Sequence, residues 1–288
     1  MTSIPTADPR LRSLEHWLAG LPGPPVRGIT PASVDASFRR YFRVRRDGET
    51  QIAMDAPPEH EDIDAYLRVA RLLAATGVNV PPVLAADERL GFALIGDLGS
   101  LQYLDALSKG ADPEPLYADA IDALLRLQAT GTKHAGGLPA YDRERLRCEM
   151  ELFPEWFLAR HLGLVPEARE QHVIEAAFGW LCDQALAQPV VLVHRDYHSR
   201  NLMVCPGRNP GILDFQDAVR GPISYDLVSL LKDCYLVWPR ARLQGWLDRY
   251  RAGAARLGLD VGGSRDEFLG WFDRMGLQRH IKVLGIFA

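Results

Sequence analysis

One eight-residue stretch decides the fold of this chain: His194-Arg195-Asp196-Tyr197-His198-Ser199-Arg200-Asn201. It reads H-x-D-x-x-x-x-N, and the pair Asp214-Phe215 follows thirteen residues after its last member. The β-branched run 190–193 leads into the stretch, and residues 201–205 and 211–213 predict two further short strands joined by a Pro-Gly turn. The pattern therefore predicts a loop framed by short strands, with polar side chains at the strand edges.

These residue types suit the transfer of a phosphoryl group from ATP to a hydroxyl group. Such a transfer depends on positioning and on charge neutralisation by Mg²⁺ more than on covalent chemistry. Asp196 can accept the hydroxyl proton, and Asn201 and Asp214 supply the oxygen ligands that Mg²⁺ prefers. We therefore predict ATP and Mg²⁺ as cofactors, Asp196, His194 and Asn201 as catalytic residues, and Asn201 and Asp214 as metal ligands.

A simpler interpretation exists for the same residues. An isolated His-x-Asp is more often a buried hydrogen-bonded pair than a catalytic loop, and short motifs occur by chance. Here the second Asp, the predicted strands and the apolar run before the loop all agree. That consistency favours the functional interpretation.

The motifs resemble those of the choline kinase and aminoglycoside phosphotransferase group of small-molecule kinases, which are relatives of protein kinases. The segment GPISYDL at 221–227 is similar to the G-P-x-x-x-D-L segment of that group, in which the Asp, here Asp226, braces the catalytic loop. The segments ASFRRYFR at 36–43, MDAPPE at 54–59 and FPEWF at 153–157 resemble the sugar kinases of peptidoglycan recycling. Those enzymes phosphorylate the anomeric hydroxyl of N-acetylmuramate and N-acetylglucosamine.

The resemblance implies an α+β fold of the protein-kinase type, with a small β-rich N-lobe and a larger, mainly helical C-lobe. It also implies phosphorylation of the C1 hydroxyl of an amino sugar by ATP, in cell-wall recycling. In the family the hinge, here at Asp97 and Leu98, gives backbone hydrogen bonds to adenine.

Two other functions stay open. An aminoglycoside or amino-alcohol kinase would need an acidic pocket for its cationic acceptor, but the predicted helix from residue 142 mixes arginines with its acids. A pseudokinase would bind nucleotide without catalysis. A degenerate kinase would be expected to lose Asp196, Asn201 or Asp214 first, and all three are present.

The order of the predicted elements agrees with two lobes. A short helix at 8–18 precedes a hairpin at 38–55, a helix at 61–75 and a second hairpin at 83–98. Long helical patterns follow at 116–130, 142–162, 167–187, 224–236, 241–257 and 265–284. We place the N-lobe at 1–98 and the C-lobe at 99–288, and we expect the C-lobe to be truncated because its last apolar helical run stops abruptly.

Two features depart from the kinase pattern on the nucleotide side. The predicted phosphate loop at 33–40 has no glycine, and Met54 stands where kinases place a phosphate-binding lysine. We therefore take Ser37, Phe38, Arg40 and Arg43 as nucleotide-binding candidates, with Ser37 and the arginines binding phosphate through their side chains, although a solvated hairpin with scattered charge gives the same pattern. Strand alternation would send only one of Arg39 and Arg40 toward the nucleotide, and the sequence does not decide which.

The acceptor side offers weaker signals. We take His198, Arg200, Glu149 and Trp156 as candidate sugar-binding residues. His198 and Arg200 lie inside the catalytic loop, where loop-bracing hydrogen bonds are the alternative role. Trp156 could stack on a sugar ring, but a helical tryptophan more often fills the core.

Composition restricts the partners. The net charge of −4 argues against nucleic-acid binding, which requires a basic face. Four widely spaced cysteines form no C-x-x-C, and neither a signal peptide nor an 18-residue apolar run is present. We therefore expect a cytoplasmic monomer that binds ATP and a small sugar, and neither nucleic acid nor a membrane.

Overall fold

The computed structural model describes residues 8–34 and 38–288. This part of the chain forms two compact units: the described residues up to Arg71 together with Val80–Gly99, and all other described residues. The first unit is built on an antiparallel sheet and the second is mainly helical. The predicted α+β, two-lobed fold class is therefore confirmed.

The first unit contains a five-stranded antiparallel sheet with the strand order β1-β2-β3-β5-β4. Its strands are β1 (Gly28–Val34), β2 (Arg40–Arg46), β3 (Glu49–Asp55), β4 (Val83–Asp87) and β5 (Phe92–Gly96). Helix α1 spans Pro9–Gly20 and precedes the sheet, and helix α2 spans Ile63–Ala75 and follows β3. Both predicted hairpins form, since β2 pairs with β3 and β4 with β5.

Helix α1 covers one face of this sheet. The helix begins where the side chain of Asp8 accepts hydrogen bonds from the backbone amides of Arg10 and Leu11, which is typical of an N-cap residue. Three leucines at helical spacing then pack against alternate residues of β2, β3 and β5. The buried cluster comprises Leu11, Leu14, Leu18, Phe42, Val44, Ala53, Phe92 and Leu94.

The second unit combines helices with two small two-stranded sheets. Its helices are α3 (Tyr103–Ser108), α4 (Pro113–Gly131), α5 (Arg143–Leu152), α6 (Ala168–Leu186), α7 (Tyr225–Leu231), α8 (Arg240–Arg256) and α9 (Arg265–Ile286). A 3₁₀ helix spans Thr132–Gly137 and a π-helical segment spans Phe153–His161. Strand β6 (Val190–Val193) pairs with β9 (Val219–Pro222), and β7 (Leu202–Met203) pairs with β8 (Gly211–Ile212). Helix α9 packs on α5, α6, α7 and the π-helical segment.

Some predicted boundaries are wrong for identifiable reasons. The single helix expected at 142–162 leaves the α-helical pattern after Leu152, because Pro154 cannot donate a backbone hydrogen bond. The helix expected at 224–236 ends at Leu231, and the Asp233 carboxylate accepts from the amide of Tyr235 at 3.0 Å in a tight turn. Helix α3 and strand β9 have no counterpart in the prediction. Within the described ranges, no helix is long and apolar enough to cross a membrane.

Candidate active site

The small sheets of the second unit position the H-x-D-x-x-x-x-N loop. Strand β6 ends immediately before His194, and β7 begins immediately after Asn201. The register pairs Leu202 with Ile212, and the amide of Leu213 donates to the carbonyl of Asn201 at 2.9 Å. Asp214 follows at once, so that the Asn201 amide nitrogen lies 3.2 Å from an Asp214 carboxylate oxygen. The antiparallel pairing thus brings together two residues that lie thirteen positions apart.

His194 links the two ends of this arrangement. Its ring is fully buried, its Nδ1 accepts from the backbone amide of Asp196 at 3.2 Å, and its Nε2 lies 2.9 Å from the carbonyl of Leu213. Because Nδ1 acts as an acceptor, the proton belongs on Nε2, which donates to the carbonyl. His194 therefore holds the Asp196 backbone against the segment that leads into Asp214.

Asp226 holds the start of the loop. Its buried carboxylate accepts from the backbone amides of His194 at 2.7 Å and Arg195 at 3.0 Å. Burial raises the pKa of Asp226 above its ordinary value, and the hydrogen bonds from the two amides only partly oppose that effect. Arg195 and Asp214 both have positive φ angles, 81° and 61°. Such backbone costs energy in residues other than glycine, so the surrounding hydrogen bonds must hold it.

Asp196 sits in a positively charged environment. Burial raises the pKa of its carboxyl, but the charges of Lys282 and Arg279 on α9 more than offset this, so the pKa lies below the ordinary value. Asp196 is therefore ionised at neutral pH. An ionised carboxylate in this loop can accept a proton or orient a hydroxyl group.

Asn201 and Asp214 have the donor chemistry of a magnesium site. One Asp214 oxygen accepts from Gln216 at 2.8 Å, and the Asn201 amide also donates to the carbonyl of Asp196 at 3.0 Å. No group of three or more His, Cys, Asp or Glu side chains that could hold a metal occurs in the described ranges. A pair of oxygen donors nevertheless fits Mg²⁺, which commonly binds to one or two protein carboxylates and takes its other ligands from water and phosphate.

Glu149 makes contacts with three protein donors. Its carboxylate binds Arg195 at 2.6 Å and Lys282 at 3.0 Å and accepts from the hydroxyl of Tyr141. Burial raises the pKa of Glu149, and Lys282 and Arg195 lower it further than that, so it lies below the ordinary value. Glu151, two positions further along α5, is more than half exposed, so the two glutamates lie on different faces of the helix.

The other predicted sugar-binding residues differ in exposure. His198 is half-buried, and its Nδ1 has no hydrogen-bond partner among the described residues. Arg200 is exposed and donates to the hydroxyl of Tyr235 at 3.1 Å. Trp156 is 38% exposed and lies under the guanidinium of Arg160, 3.9 Å from the ring centroid. The expectation that Trp156 fills the core is therefore wrong, because the π-helical segment carries it on the surface.

The arginines considered for phosphate binding are ion-paired. Arg40 pairs with Asp8 and with the buried Asp55, and Arg43 pairs with Asp97 at 2.7 Å. Arg39 precedes β2 and lies 3.7 Å from Glu61, so the two neighbouring arginines have different partners. Arg43 also donates to the carbonyl of Gly99 at 2.9 Å, and together with Asp97 it supports the segment around the half-buried Leu98.

The remaining positions considered for nucleotide binding offer less support for that role. Ser37 lies outside the described residues. Phe38 is 62% exposed, and its ring stacks on His60 at 4.3 Å. Met54, which replaces the strand lysine, is fully buried.

Buried polar residues of α9 were not predicted from the sequence, although Arg279 donates to the carbonyl of Arg195 at 2.9 Å and the charge of Lys282 lowers the pKa of Asp196. Gln278, Arg279 and Lys282 are buried, and Lys282 lies one helical turn after Gln278 on the same face. The sequence did contain a signal for these residues, because they are polar residues among the apolar positions of a predicted helix. Periodicity alone does not say which buried group such a face meets.

Comparisons with known proteins agree with this site. The model of the phosphotransferase enzyme family matches residues 28–267. An N-acetylmuramate/N-acetylglucosamine kinase from Pseudomonas putida is 44% identical, covering 99% of this chain and 86% of that protein. A protein of the same name from Pseudomonas aeruginosa is 45% identical, covering 98% and 85%.

Solved structures share the fold at much lower identity. Macrolide 2'-phosphotransferase MphH from Brachybacterium faecium aligns with a TM-score of 0.64 at 18% identity, covering 96% of this chain and 92% of that one. ADP-bound aminoglycoside phosphotransferase APH(2'')-Ib aligns with a TM-score of 0.59 at 14% identity, covering 93% and 96%.

Proposed function

Because the chain belongs to the phosphotransferase enzyme family, we propose that it transfers the γ-phosphoryl group of ATP to the anomeric hydroxyl of an amino sugar. The acceptor is N-acetylmuramate, N-acetylglucosamine or both. Membership of the family implies the use of ATP. The strongest support for the acceptor is the 44–45% identity, over nearly the whole chain, to kinases named for these two sugars.

The geometry that carries the chemistry is the cluster of Asp196, Asn201 and Asp214. Asp196 is ionised, and we assign to it the acceptance of a hydrogen bond from the acceptor hydroxyl. The hydroxyl oxygen then forms a bond to the γ-phosphorus, the bond from that phosphorus to the bridging oxygen of ADP breaks, and the hydroxyl proton passes to Asp196. His194 and Asp226 keep the Asp196 backbone in place through the hydrogen bonds described above.

Asn201 and Asp214 are the residues that would hold Mg²⁺. Bound there, the ion would supply positive charge that offsets the negative charge of the phosphates. Gln216 donates to one oxygen of Asp214, so its role would be to keep the carboxylate oriented. The amide of Asn201 donates to that same carboxylate, and an ion would require the amide to turn its oxygen inward.

The first unit supplies the nucleotide contacts in this proposal. Its backbone at Asp97 and Leu98 would hydrogen-bond to adenine, Ser37, Arg40 and Arg43 are the phosphate candidates, and Phe38 is a further nucleotide-binding candidate. Arg40 and Arg43 are each bound to a carboxylate, so phosphate would have to compete with Asp55 and Asp97 for them. Such an arginine makes charge-assisted and often bidentate contacts, which would replace the absent strand lysine.

The charges around Asp196 also bear on the acceptor. Arg279 and Lys282 are buried cations near this carboxylate. Cationic acceptors such as aminoglycosides or amino alcohols would be repelled there, whereas a neutral or anionic sugar would not. An intact Asp196–Asn201–Asp214 cluster likewise favours an active enzyme over a pseudokinase.

A coupled assay of ADP release tests the function. The purified protein is given Mg-ATP with N-acetylmuramate, N-acetylglucosamine, an aminoglycoside or choline, and Asp196→Asn serves as the inactive control. We expect sugar-dependent ADP release that the control lacks. Turnover of the aminoglycoside or choline without turnover of either sugar would refute the assignment, and ADP release with no acceptor at all would count against it.

A further inference from the structure

Helix α9 carries a buried arginine that makes no direct ion pair among the described residues, since the carboxylates of Asp196 and Asp226 act on it only from a distance. Arg279 is 8% exposed, and its guanidinium lies 4.7 Å from the ring centroid of Tyr225. It donates one hydrogen bond, from Nη1 to the carbonyl of Arg195 at 2.9 Å. Across residues 8–34 and 38–288, no carboxylate forms an ion pair with it.

This arrangement is costly without a ligand. A buried charge is normally paired, because removal from water is expensive and only a well-placed opposite charge compensates. A guanidinium has five N–H donors, so one hydrogen bond leaves most of its capacity unused. Its neighbour Lys282 is different, because Lys282 is already paired with Glu149 at 3.0 Å.

Two further polar side chains, one adjacent to Arg279 in the sequence and one in the catalytic loop, also lack hydrogen-bond partners within the described residues. Gln278 is fully buried, and neither its amide oxygen nor its amide nitrogen is hydrogen-bonded within the described part of the chain. The Nδ1 of His198 is likewise unpartnered there, and His198 is close enough to Arg279 for its charge to act on the imidazole. Buried polar groups are usually satisfied by protein, water or ligand. Unsatisfied groups on both α9 and the loop point to a polar ligand.

The position of Arg279 indicates which part of the site its ligand would occupy. The carbonyl that it binds belongs to Arg195, the residue before Asp196. We assign the acceptor hydroxyl to Asp196, so a guanidinium held against the preceding residue is well placed to contact the acceptor.

We propose that Arg279 binds the lactyl carboxylate of N-acetylmuramate and so distinguishes this acceptor from N-acetylglucosamine. The inference rests on the proposed function and adds the residue that sets the preference between the two sugars. The two sugars differ at C3, where N-acetylmuramate carries an ether-linked lactate and N-acetylglucosamine a hydroxyl group. Arginine suits this task because its planar donors match the two oxygens of a carboxylate.

The test compares kcat/KM for the two sugars in the wild-type enzyme and in Arg279→Gln. Both values fall, because the substitution also affects the loop. The kcat/KM for N-acetylmuramate divided by that for N-acetylglucosamine falls by a further tenfold or more. A change on the order of tenfold is expected for the loss of one hydrogen bond to a charged group. Arg274→Gln, on another face of α9, removes the same charge and is the matched control, for which the ratio is unchanged.

The methyl ester of N-acetylmuramate gives a second, independent arm. Esterification removes the carboxylate charge, so the wild-type enzyme uses the ester about tenfold or more less well than the acid. Arg279→Gln no longer distinguishes the acid from the ester. Arg279→Lys keeps the charge, so its preference for the acid lies between those of the wild-type enzyme and Arg279→Gln. The wild-type and Arg279→Lys measurements remain decisive if Arg279→Gln does not fold, which circular dichroism shows.

Equal losses with both sugars would assign Arg279 to the loop or to the transferred phosphoryl group and would overturn the inference. Persistent discrimination between acid and ester in Arg279→Gln would overturn it as well. Failure of the wild-type enzyme to phosphorylate either sugar is a distinct result, because it refutes the proposed function itself.

Discussion

Replacement of Glu149 by Gln tests how the catalytic loop is held. The Glu149 side chain is 11% exposed and lies between the charges of Arg195, which belongs to the loop, and Lys282, which belongs to α9. Glutamine has the same shape and keeps one acceptor oxygen, but it removes the negative charge. Two buried cations then face each other without compensation.

The contacts give the expected size of the effect. Removal of one partner from a buried ion pair costs about 3–5 kcal/mol. We expect the lower end, about 3 kcal/mol, because the glutamine side chain of the variant still accepts a hydrogen bond. For a unit of this size each kcal/mol lowers the melting temperature by about 2–4 °C, so the midpoint should fall by roughly 6–12 °C.

Calorimetry as a function of pH measures this effect and its sign. The pKa of Glu149 is lowered in the folded protein, since Lys282 and Arg195 outweigh the effect of burial. Its stabilising contribution is therefore fully present above the unfolded-state pKa of about 4.3 and is lost as the pH falls through the lower folded-state value. The difference between wild type and Glu149→Gln should be constant near neutral pH and should shrink below about pH 4.3.

Glu175→Gln is the matched control. Glu175 also binds an arginine, Arg147 at 2.6 Å, but its side chain is 58% exposed. An exposed pair contributes about 0–1 kcal/mol, so this variant should melt within about 4 °C of wild type. If Glu149→Gln were as stable as Glu175→Gln at pH 7, the assignment of Glu149 as a buried brace would be wrong.

Four further substitutions test the proposed roles. Asp196→Asn should abolish nearly all turnover but leave the Kd of Mg-ATP, measured by calorimetry, within a few-fold; a parallel loss of nucleotide affinity would make Asp196 structural. Asp214→Asn should raise the Mg²⁺ concentration needed for half-maximal activity, and a titration curve identical to that of wild type would exclude it as a ligand. Of Arg40→Ala and Arg43→Ala, one should raise the KM for ATP and the other should change only the melting temperature, whereas two unchanged KM values would leave phosphate binding to other groups.

The parts of the site that are local in sequence were predictable. His194, Asp196 and Asn201 lie in one loop, and short strands with clear turn signals bring Asp214 to Asn201. Hairpins and long helices in both units were likewise visible from periodicity. Boundaries failed where a single residue interrupted the pattern, as Pro154 does after α5.

The contacts made across long sequence separations were not predictable. Glu149 reads as a polar residue on a mixed helix, and only the folded chain brings it to Arg195 and Lys282. Arg40 reads as a free cation, yet it is bound to Asp8 and Asp55. Charge and spacing identify residues that need a partner, but the packing of α1 and α9 decides which partner each one meets.

The identity of the phosphorylated hydroxyl is the most direct test of the proposed reaction. The protein is incubated with Mg-ATP and either N-acetylglucosamine or its 1-O-methyl glycoside, which is identical in every other hydroxyl group, and the products are followed by phosphorus and proton NMR. The proposed function predicts a phosphate coupled to the anomeric proton from the first sugar and no product from the second. Phosphorylation of the methyl glycoside, or a phosphate coupled to any other ring proton, would contradict it.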